Sequence, residues 1–132
     1  MKPGWCFMLP IATCIKKTFD FNGRADLVEF WSFFMFLFLI QMLAFFIDVA
    51  TGLIVYNWIG SFPLSLIMET VRLLFLLPFL AVLFRRLHDV GKNSSYGLLV
   101  FIPFVGFLYL LPSLIKEGED RVNNWGEPLQ QV

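Results

Sequence analysis

The chain has 132 residues, of which 58% are hydrophobic and 17 are phenylalanine, and its mean hydropathy is +0.75. These values lie well outside the range of a soluble domain and indicate an integral membrane protein. Ten basic and ten acidic residues give a formal net charge of zero, which excludes bulk electrostatic attraction to nucleic acid or to a strongly acidic partner.

The first 21 residues are predicted to form an amphipathic helix that lies on the membrane surface. Lys16 and Lys17 would face water, and the side chains expected to face acyl chains are Trp5, Phe7, Leu9 and Ile11. A signal peptide is the alternative, but Pro10 interrupts its apolar stretch. Cys6 and Cys14 match no two-cysteine metal or redox motif, so we expect reduced thiols.

Three stretches are long and apolar enough to cross a bilayer core of about 30 Å, which requires roughly 20 residues per helix. They are residues 30–49, 63–84 and 96–115. In the last of them, Pro103 is followed by Gly106, a spacing that can break a helix into a re-entrant hairpin. The predicted fold is an all-α membrane protein: one domain, residues 1–132, with about three transmembrane helices, the N-terminal interfacial helix and a polar tail at 116–132.

Basic residues are concentrated on one predicted side of the membrane. Seven of the ten precede the first span or lie between the second and third, namely Lys2, Lys16, Lys17, Arg24, Arg85, Arg86 and Lys92. Lysine and arginine near helix ends favour the cytoplasmic side, so the N-terminus is predicted to be cytoplasmic. The C-terminus would then be external, unless the third span is re-entrant and returns the tail to the cytoplasm.

A block of polar residues, Arg85-Arg86-Leu87-His88-Asp89, ends the second predicted span. On a helix, Arg85, His88 and Asp89 share one face, which would place two cations and a carboxylate around one site. Such a site suits an anionic headgroup, a proton relay, or a salt bridge to Glu29 or the tail. The interpretation that we favour from the sequence is simpler: these residues are snorkelling anchors at a helix end, followed by a turn at Gly91. The candidate polar face comprises Arg24, Glu29, Arg85, Arg86, His88 and Asp89, joined by Asn123 and Trp125 if the tail folds back.

Four residues with charged or amide side chains lie inside the predicted spans, where they are costly unless paired or turned towards an interior cavity. They are Gln41, Asp48, Glu69 and Arg72. Glu69 and Arg72 are three residues apart and can neutralise each other, and Asp48 lies at a similar depth if the first two helices pack antiparallel. We expect Asp48, Glu69 and Arg72 to form a structural cluster that locks the helix pair, with an ion or proton pathway as the alternative.

Five motifs in a fixed order carry a family resemblance. They are Phe21-Asn22-Gly23-Arg24, Glu29-Phe30-Trp31, Arg85 to Asp89 with Gly91, Ile102-Pro103-Phe104-Val105-Gly106, and Asn123-Asn124-Trp125-Gly126 with Pro128. From about Ile11 to Pro128, the chain resembles the small bacterial inner-membrane proteins catalogued as domain of unknown function 805. The resemblance implies a multi-pass protein of the bacterial inner membrane and supplies no established activity.

The sequence predicts a non-enzymatic protein that interacts with membrane lipids or with a membrane-protein partner. The alternative is a subunit of an oligomeric transporter or channel, because three helices enclose almost no cavity unless they assemble as a homo-oligomer. An enzyme is not expected, since the single histidine has no nucleophile at a fixed spacing nearby. No Walker, Rossmann, zinc or haem pattern occurs, so neither a cofactor nor a metal site is expected, and nucleic acid is not an expected partner.

Overall fold

The computed structural model describes residues 8–56, 63–102 and 105–129. Its elements in chain order are α1 (Met8–Lys16), α2 (Leu27–Thr51), β1 (Ile54–Tyr56), β2 (Pro63–Ser65), α3 (Leu66–Asp89), a 3-10 helix (Ser94–Phe101) and α4 (Val105–Ile115). The two long helices α2 and α3 pack against each other, and α1 packs against both of them.

Among the described helices, α2 and α3 are long and apolar enough to cross a membrane. Only 17% of the most apolar stretch of α2 and 22% of that of α3 are buried inside the protein, whereas the core helix of a soluble protein is mostly buried. At 1.5 Å per residue, each helix is about 36 Å long and exceeds the bilayer core of about 30 Å. Two of the three predicted spans are therefore present as candidate membrane helices.

Helix α2 has well-defined signals at both ends. The carboxylate of Asp26 caps its start by accepting a hydrogen bond from the backbone N–H of Glu29 at 2.6 Å. At its other end, Gly52 adopts a left-handed conformation, with φ of 71°, and its N–H bonds to the carbonyl of Asp48. The helix consequently extends beyond the predicted span of residues 30–49 in both directions.

A short β-ribbon joins α2 to α3. Strands β1 and β2 are antiparallel, with Ile54 opposite Ser65. The all-α prediction did not include this ribbon, and it placed residues 63–65 inside the second span. Proline at position 63 has no N–H to donate, which suits the start of a short strand better than a helix interior. Helix α3 therefore begins at Leu66.

Helix α3 continues five residues beyond the predicted end of the second span at Phe84. Its last turn is the block that contains Arg85, Arg86, His88 and Asp89, all of which are buried. Gly91, with φ of 74°, turns the chain after the helix. The polar block therefore belongs to the packed interior, so the expectation of snorkelling anchors at the membrane surface was wrong.

The third predicted span, residues 96–115, is not one helix in the described part of the chain. The 3-10 helix ends at Phe101, α4 starts at Val105, and Pro103 lies outside the described residues. With 11 residues, α4 is about 16 Å long and too short to cross a bilayer. The segment begins just after α3, and its end returns there, because the carbonyl of Lys116 accepts a hydrogen bond from Arg86. It therefore leaves and re-joins the same end of the helix pair.

The apolar core lies at this same end of the helix pair. Its buried members are Cys14, Ala25, Phe30, Phe33, Val82, Leu83, Leu87, Leu110 and Leu114. Helix α1 contributes Cys14, and Ile11 packs against the core, so the expectation that Ile11 faces acyl chains was wrong. Trp5 and Phe7, which were expected on the same apolar face, lie outside the described residues.

Candidate functional site

The residues of the predicted polar face meet where α2 begins and α3 ends. Arg24, Arg85, Arg86, His88 and Asp89 are between 0% and 6% exposed. The backbone helps to hold the two segments together, because the N–H of Ala25 bonds to the carbonyl of Arg85 at 3.1 Å. What the sequence predicted as a polar face is a largely buried assembly, in which Glu29, Asn123 and Trp125 are partly exposed. We call it the polar network: Arg24, Glu29, Arg85, Arg86, His88, Asp89, Asn123 and Trp125.

One carboxylate at the centre of the polar network pairs with two arginines. Asp89 accepts from Nε of Arg24 at 2.7 Å through Oδ1 and from Nη1 of Arg86 at 2.5 Å through Oδ2. A buried charge is tolerated only when it is paired and hydrogen-bonded, and here two cations share one anion. The trio keeps a net charge of +1.

The same two arginines bind the polar tail through its backbone. Arg24 donates to the carbonyls of Arg121, at 3.1 Å, and of Glu119, and Arg86 donates to the carbonyl of Lys116. In return, the N–H of Glu119 bonds to the carbonyl of Asp89 at 2.8 Å. The tail is therefore part of the polar network, as the sequence predicted for the case of a folded-back tail.

A second ion pair within the polar network joins Arg85 to Glu29. Nη1 of Arg85 lies 3.0 Å from Oε1 of Glu29, although neither terminal nitrogen of this guanidinium has an aligned hydrogen bond within the described residues. The thiol of Cys14 lies 3.6 Å from the same carboxylate oxygen. Burial, followed by the nearby charge of Glu29, raises the pKa of the Cys14 thiol to about 12. The thiol is therefore protonated at neutral pH and a poor nucleophile.

His88 is held by contacts from three parts of the chain. Its Nδ1 lies 3.2 Å from the carbonyl of Gly23, its Nε2 lies 2.7 Å from Oγ of Ser94, and its ring stacks on Trp125 with a centroid distance of 4.6 Å and an angle of 7°. Asn123 donates its amide to the His88 carbonyl at 2.9 Å. Because a carbonyl only accepts, Nδ1 carries a proton. Both predicted tail residues thus contact His88.

A cleft of about 200 Å³ opens beside the polar network. Arg24, Arg86 and Asp89 line its interior side, and Gly118 is required there because a Cβ atom would overlap the Asp89 carboxylate. The remaining lining is acidic or apolar and consists of Asp26, Leu27, Val28, Glu117, Glu119, Asp120 and Leu129. The cleft therefore combines buried cations with a largely acidic rim and lipid-compatible side chains.

The predicted intramembrane cluster of Asp48, Glu69 and Arg72 does not form. Asp48 is fully buried and caps α3, accepting from the N–H groups of Ile67 at 3.1 Å and Met68 at 3.0 Å. Ser65 at the N-cap position makes no side-chain hydrogen bond, so the carboxylate of α2 takes over that role.

The other predicted members of that cluster lie on a different surface. Glu69 and Arg72 form their own ion pair, 3.1 Å long and partly exposed, and this pairing was predicted. Arg72 and Gln41 both line a groove between α2 and α3. Asp48 therefore locks the helix pair, as expected, but by capping a helix instead of by ion pairing.

Sequence reasoning missed several groups that complete the polar network. Cys14 was considered only as a thiol, and Ser94 was not considered. The tail carbonyls that accept from Arg24 and Arg86 leave no sequence signal, because every residue carries a carbonyl. Among the described residues, no group of three or more histidine, cysteine or acidic side chains could hold a metal ion.

Two long apolar helices that could cross a membrane, a folded-back third segment and a buried arginine–aspartate network are features of a small helical membrane protein. The family model described as "Protein of unknown function (DUF805)" matches residues 18–127, and the chain belongs to this family. The resemblance noted in the sequence is thereby confirmed.

Curated relatives agree with this membership. Inner membrane protein YhaI of Escherichia coli (strain K12) is 32% identical over 116 residues, covering 85% of this chain and 87% of the relative. Inner membrane protein YhaH of the same strain is 29% identical over 112 residues, covering 85% and 88%. No solved structure matches the chain. The protein is thus a bacterial inner-membrane protein of unknown function with two candidate spans.

Proposed function

We propose that this protein is a non-enzymatic membrane module that binds the headgroup of a zwitterionic phospholipid in the cleft. The proposal rests on how charges are arranged in the cleft. Two buried guanidiniums lie on its interior side, and the exposed carboxylates of Glu117 and Asp120 lie at its rim. A phosphate beside Arg24 and Arg86 and an ammonium group at the rim would each meet the opposite charge.

The interior of the cleft retains capacity for a phosphate. Arg86 is fully buried and its Nε has no hydrogen-bond partner within the described residues. A planar guanidinium matches phosphate oxygens well, and the Arg24–Asp89–Arg86 trio has a net positive charge. The Nε atom of Arg86 is itself closed off from the cleft, so the attraction of a bound phosphate rests on the net charge of the trio and not on a hydrogen bond to Nε.

The rim favours a zwitterionic headgroup over the anionic one that the sequence suggested. An anionic lipid would bring a further negative group against Asp26, Glu117, Glu119 and Asp120. Val28, at the start of α2, is 55% exposed next to the cleft, so the acyl chains of a bound lipid could lie along that helix.

The test is native mass spectrometry of the full chain released from nanodiscs that contain equal amounts of phosphatidylethanolamine and phosphatidylglycerol. We expect selective retention of phosphatidylethanolamine, and a several-fold loss of this retention in the double variant Glu117→Gln and Asp120→Asn. Glu127→Gln, which removes an exposed tail carboxylate outside the cleft lining, is the matched control. Equal retention of both lipids, or retention by the double variant as by the wild type, would contradict the proposal.

The proposal of a non-enzymatic role rests on how the reactive side chains are used. The Cys14 thiol is held in its protonated form. Both ring nitrogens of His88 are engaged within the protein, and Trp125 covers one ring face. Neither residue is placed to exchange a proton or form a covalent bond with a substrate. The predicted alternative, a transporter or channel subunit, stays a prediction.

We further propose that the polar network lies at the cytoplasmic surface, together with the N-terminus and the tail. The folded-back third segment puts Lys116 and Arg121 at the same end of the helix pair as Arg24, Arg85 and Arg86. The lysine and arginine bias towards this end is thereby larger than the sequence alone suggested, and the C-terminus becomes cytoplasmic.

A further inference from the structure

The surface between α2 and α3 contains a groove of about 310 Å³ that the lipid-binding proposal does not use. Its lining is almost entirely apolar and aromatic, with the exceptions of Gln41 and Arg72. The lining residues used below are Phe38, Gln41, Arg72 and Phe75. The groove lies apart from the cleft and shares no lining residue with it.

Gln41 is an unsatisfied polar group at membrane depth. It lies ten residues before the end of α2 at Thr51, or about 15 Å along a helix of about 37 Å, and therefore falls within the hydrocarbon layer. No described residue gives its side-chain amide a hydrogen bond. An acyl chain offers neither donor nor acceptor, so lipid alone leaves this amide unpaired.

A second copy of this chain can supply the hydrogen-bond partner that the Gln41 amide lacks. A primary amide carries both donors and acceptors, so two Gln41 side chains related by a two-fold axis along the membrane normal lie at the same depth and can bond reciprocally. Such interhelical bonds between polar side chains are a recognised source of helix association in membranes.

The ion pair at the edge of the groove is also self-complementary. Glu69 and Arg72 are 3.1 Å apart, with side chains 37% and 51% exposed, so both charges are presented on the same face. In a two-fold arrangement, Arg72 of one copy can approach Glu69 of the other, which would cover partly exposed charges within a membrane helix.

We infer that the α2–α3 groove is a self-association surface, in which a second copy of this chain packs with reciprocal hydrogen bonds between the two Gln41 amides. Phe38 and Phe75 form the apolar part of the contact. The dimer does not rest on the cleft or its ligand, and the cleft variants Glu117→Gln and Asp120→Asn should dimerise as the wild type does.

The test is the dimer dissociation constant, measured by Förster transfer between labelled full-length chains in phosphatidylethanolamine and phosphatidylglycerol vesicles over a range of protein-to-lipid ratios. We expect Gln41→Leu to weaken dimerisation about tenfold through loss of the reciprocal bonds. Gln41→Asn, which keeps the amide, should recover part of the affinity. Leu43→Ala is the matched control, because Leu43 is exposed on α2 and does not line the groove.

Three outcomes would overturn the inference. They are a wild-type chain that stays monomeric at every ratio, a Gln41→Leu variant that dimerises as tightly as the wild type, and a Leu43→Ala variant that loses as much affinity as Gln41→Leu. Leucine is well tolerated in a membrane helix, and circular dichroism of Gln41→Leu establishes that the chain remains helical. Disulfide formation in the Phe38→Cys variant, with Cys6 and Cys14 replaced by serine, locates the contact independently.

Discussion

Asp89 is the counter-ion that two buried guanidiniums share, so its charge matters more than its size. Both oxygens are occupied, one by Arg24 and one by Arg86. Replacing the carboxylate by an amide of the same shape would keep the packing and leave two arginines facing each other without an anion between them.

For this reason we expect Asp89→Asn to lower the free energy of unfolding by about 3–5 kcal/mol. The measurement is equilibrium unfolding of the protein by sodium dodecyl sulfate in mixed micelles, followed by circular dichroism. Glu127→Gln, an exposed carboxylate in the same tail, should change stability by less than about 0.5 kcal/mol. A loss for Asp89→Asn as small as that of the control would show that the trio is not a buried ionic unit.

The sequence predicted which residues meet in the polar network and offered a salt bridge to Glu29 as one possibility, but it did not predict the other pairings. Helical spacing placed Arg85 and Asp89 on one face, yet Arg85 pairs with Glu29, and Asp89 pairs with Arg24 and Arg86. Periodicity determines which side of a helix a residue occupies. Which ion pairs form is determined by the side chains that other segments of the chain place on that side. These contacts join residues far apart in the sequence, so local spacing does not predict them.

Among the helices, the start of α3 depends on a side chain of α2. Asp48 supplies the acceptors for two N–H groups in the first turn of α3, where the local serine supplies none. The short ribbon between the helices brings these two ends together. The carboxylate of Asp48, near the end of α2, therefore caps the start of α3 and ties the two helix ends together.

We predict that Asp48→Ala lowers the free energy of unfolding by about 1–2 kcal/mol, the usual cost of losing a helix cap. Asp48→Asn keeps one acceptor and should lose less. Thr70→Ala is the comparison, because the hydroxyl of Thr70 bonds within its own helix, to the carbonyl of Leu66. The measurement is again equilibrium unfolding by sodium dodecyl sulfate in mixed micelles. If Asp48→Ala and Thr70→Ala have the same free energy of unfolding, the capping role of Asp48 is excluded.

The sequence predicted helices correctly where an apolar stretch was continuous. It was wrong about boundaries where a cap, a turn or a short strand determined where a helix begins or ends. The two long apolar stretches became α2 and α3, with boundaries moved by Asp26, Gly52 and the ribbon. The third stretch had the length of a span but was interrupted near Pro103, a possibility that the sequence indicated. Hydropathy measures the preference for lipid and does not show whether an apolar segment crosses or turns back.

At the scale of the whole molecule, the fold places both ends of the described chain near the polar network. Helix α1 packs on α2 and α3, and the tail binds Arg24 and Arg86. With two spans and a third segment that returns to its starting end, we expect the C-terminus to be cytoplasmic.

A pair of C-terminal fusions tests this orientation. A green fluorescent protein fused after Val132 should fluoresce, and alkaline phosphatase fused at the same position should be inactive, because the former requires the cytoplasm and the latter the oxidising periplasm. Fusions after Gly52, within the connection between α2 and α3, serve as the control and should give the opposite pair of results. An active phosphatase at the C-terminus would exclude the folded-back topology.

The binding of the tail carbonyls by Arg24 and Arg86 also imposes an order on biogenesis. Arg24 is synthesised early, but one of its acceptors, the carbonyl of Arg121, emerges from the ribosome only after both long helices have been made. The two arginines of the helix hairpin therefore remain incompletely satisfied until the tail has been synthesised. Closure of the polar network therefore follows synthesis of the tail, and a nascent protein stalled before Lys116 would leave both cations without their backbone acceptors.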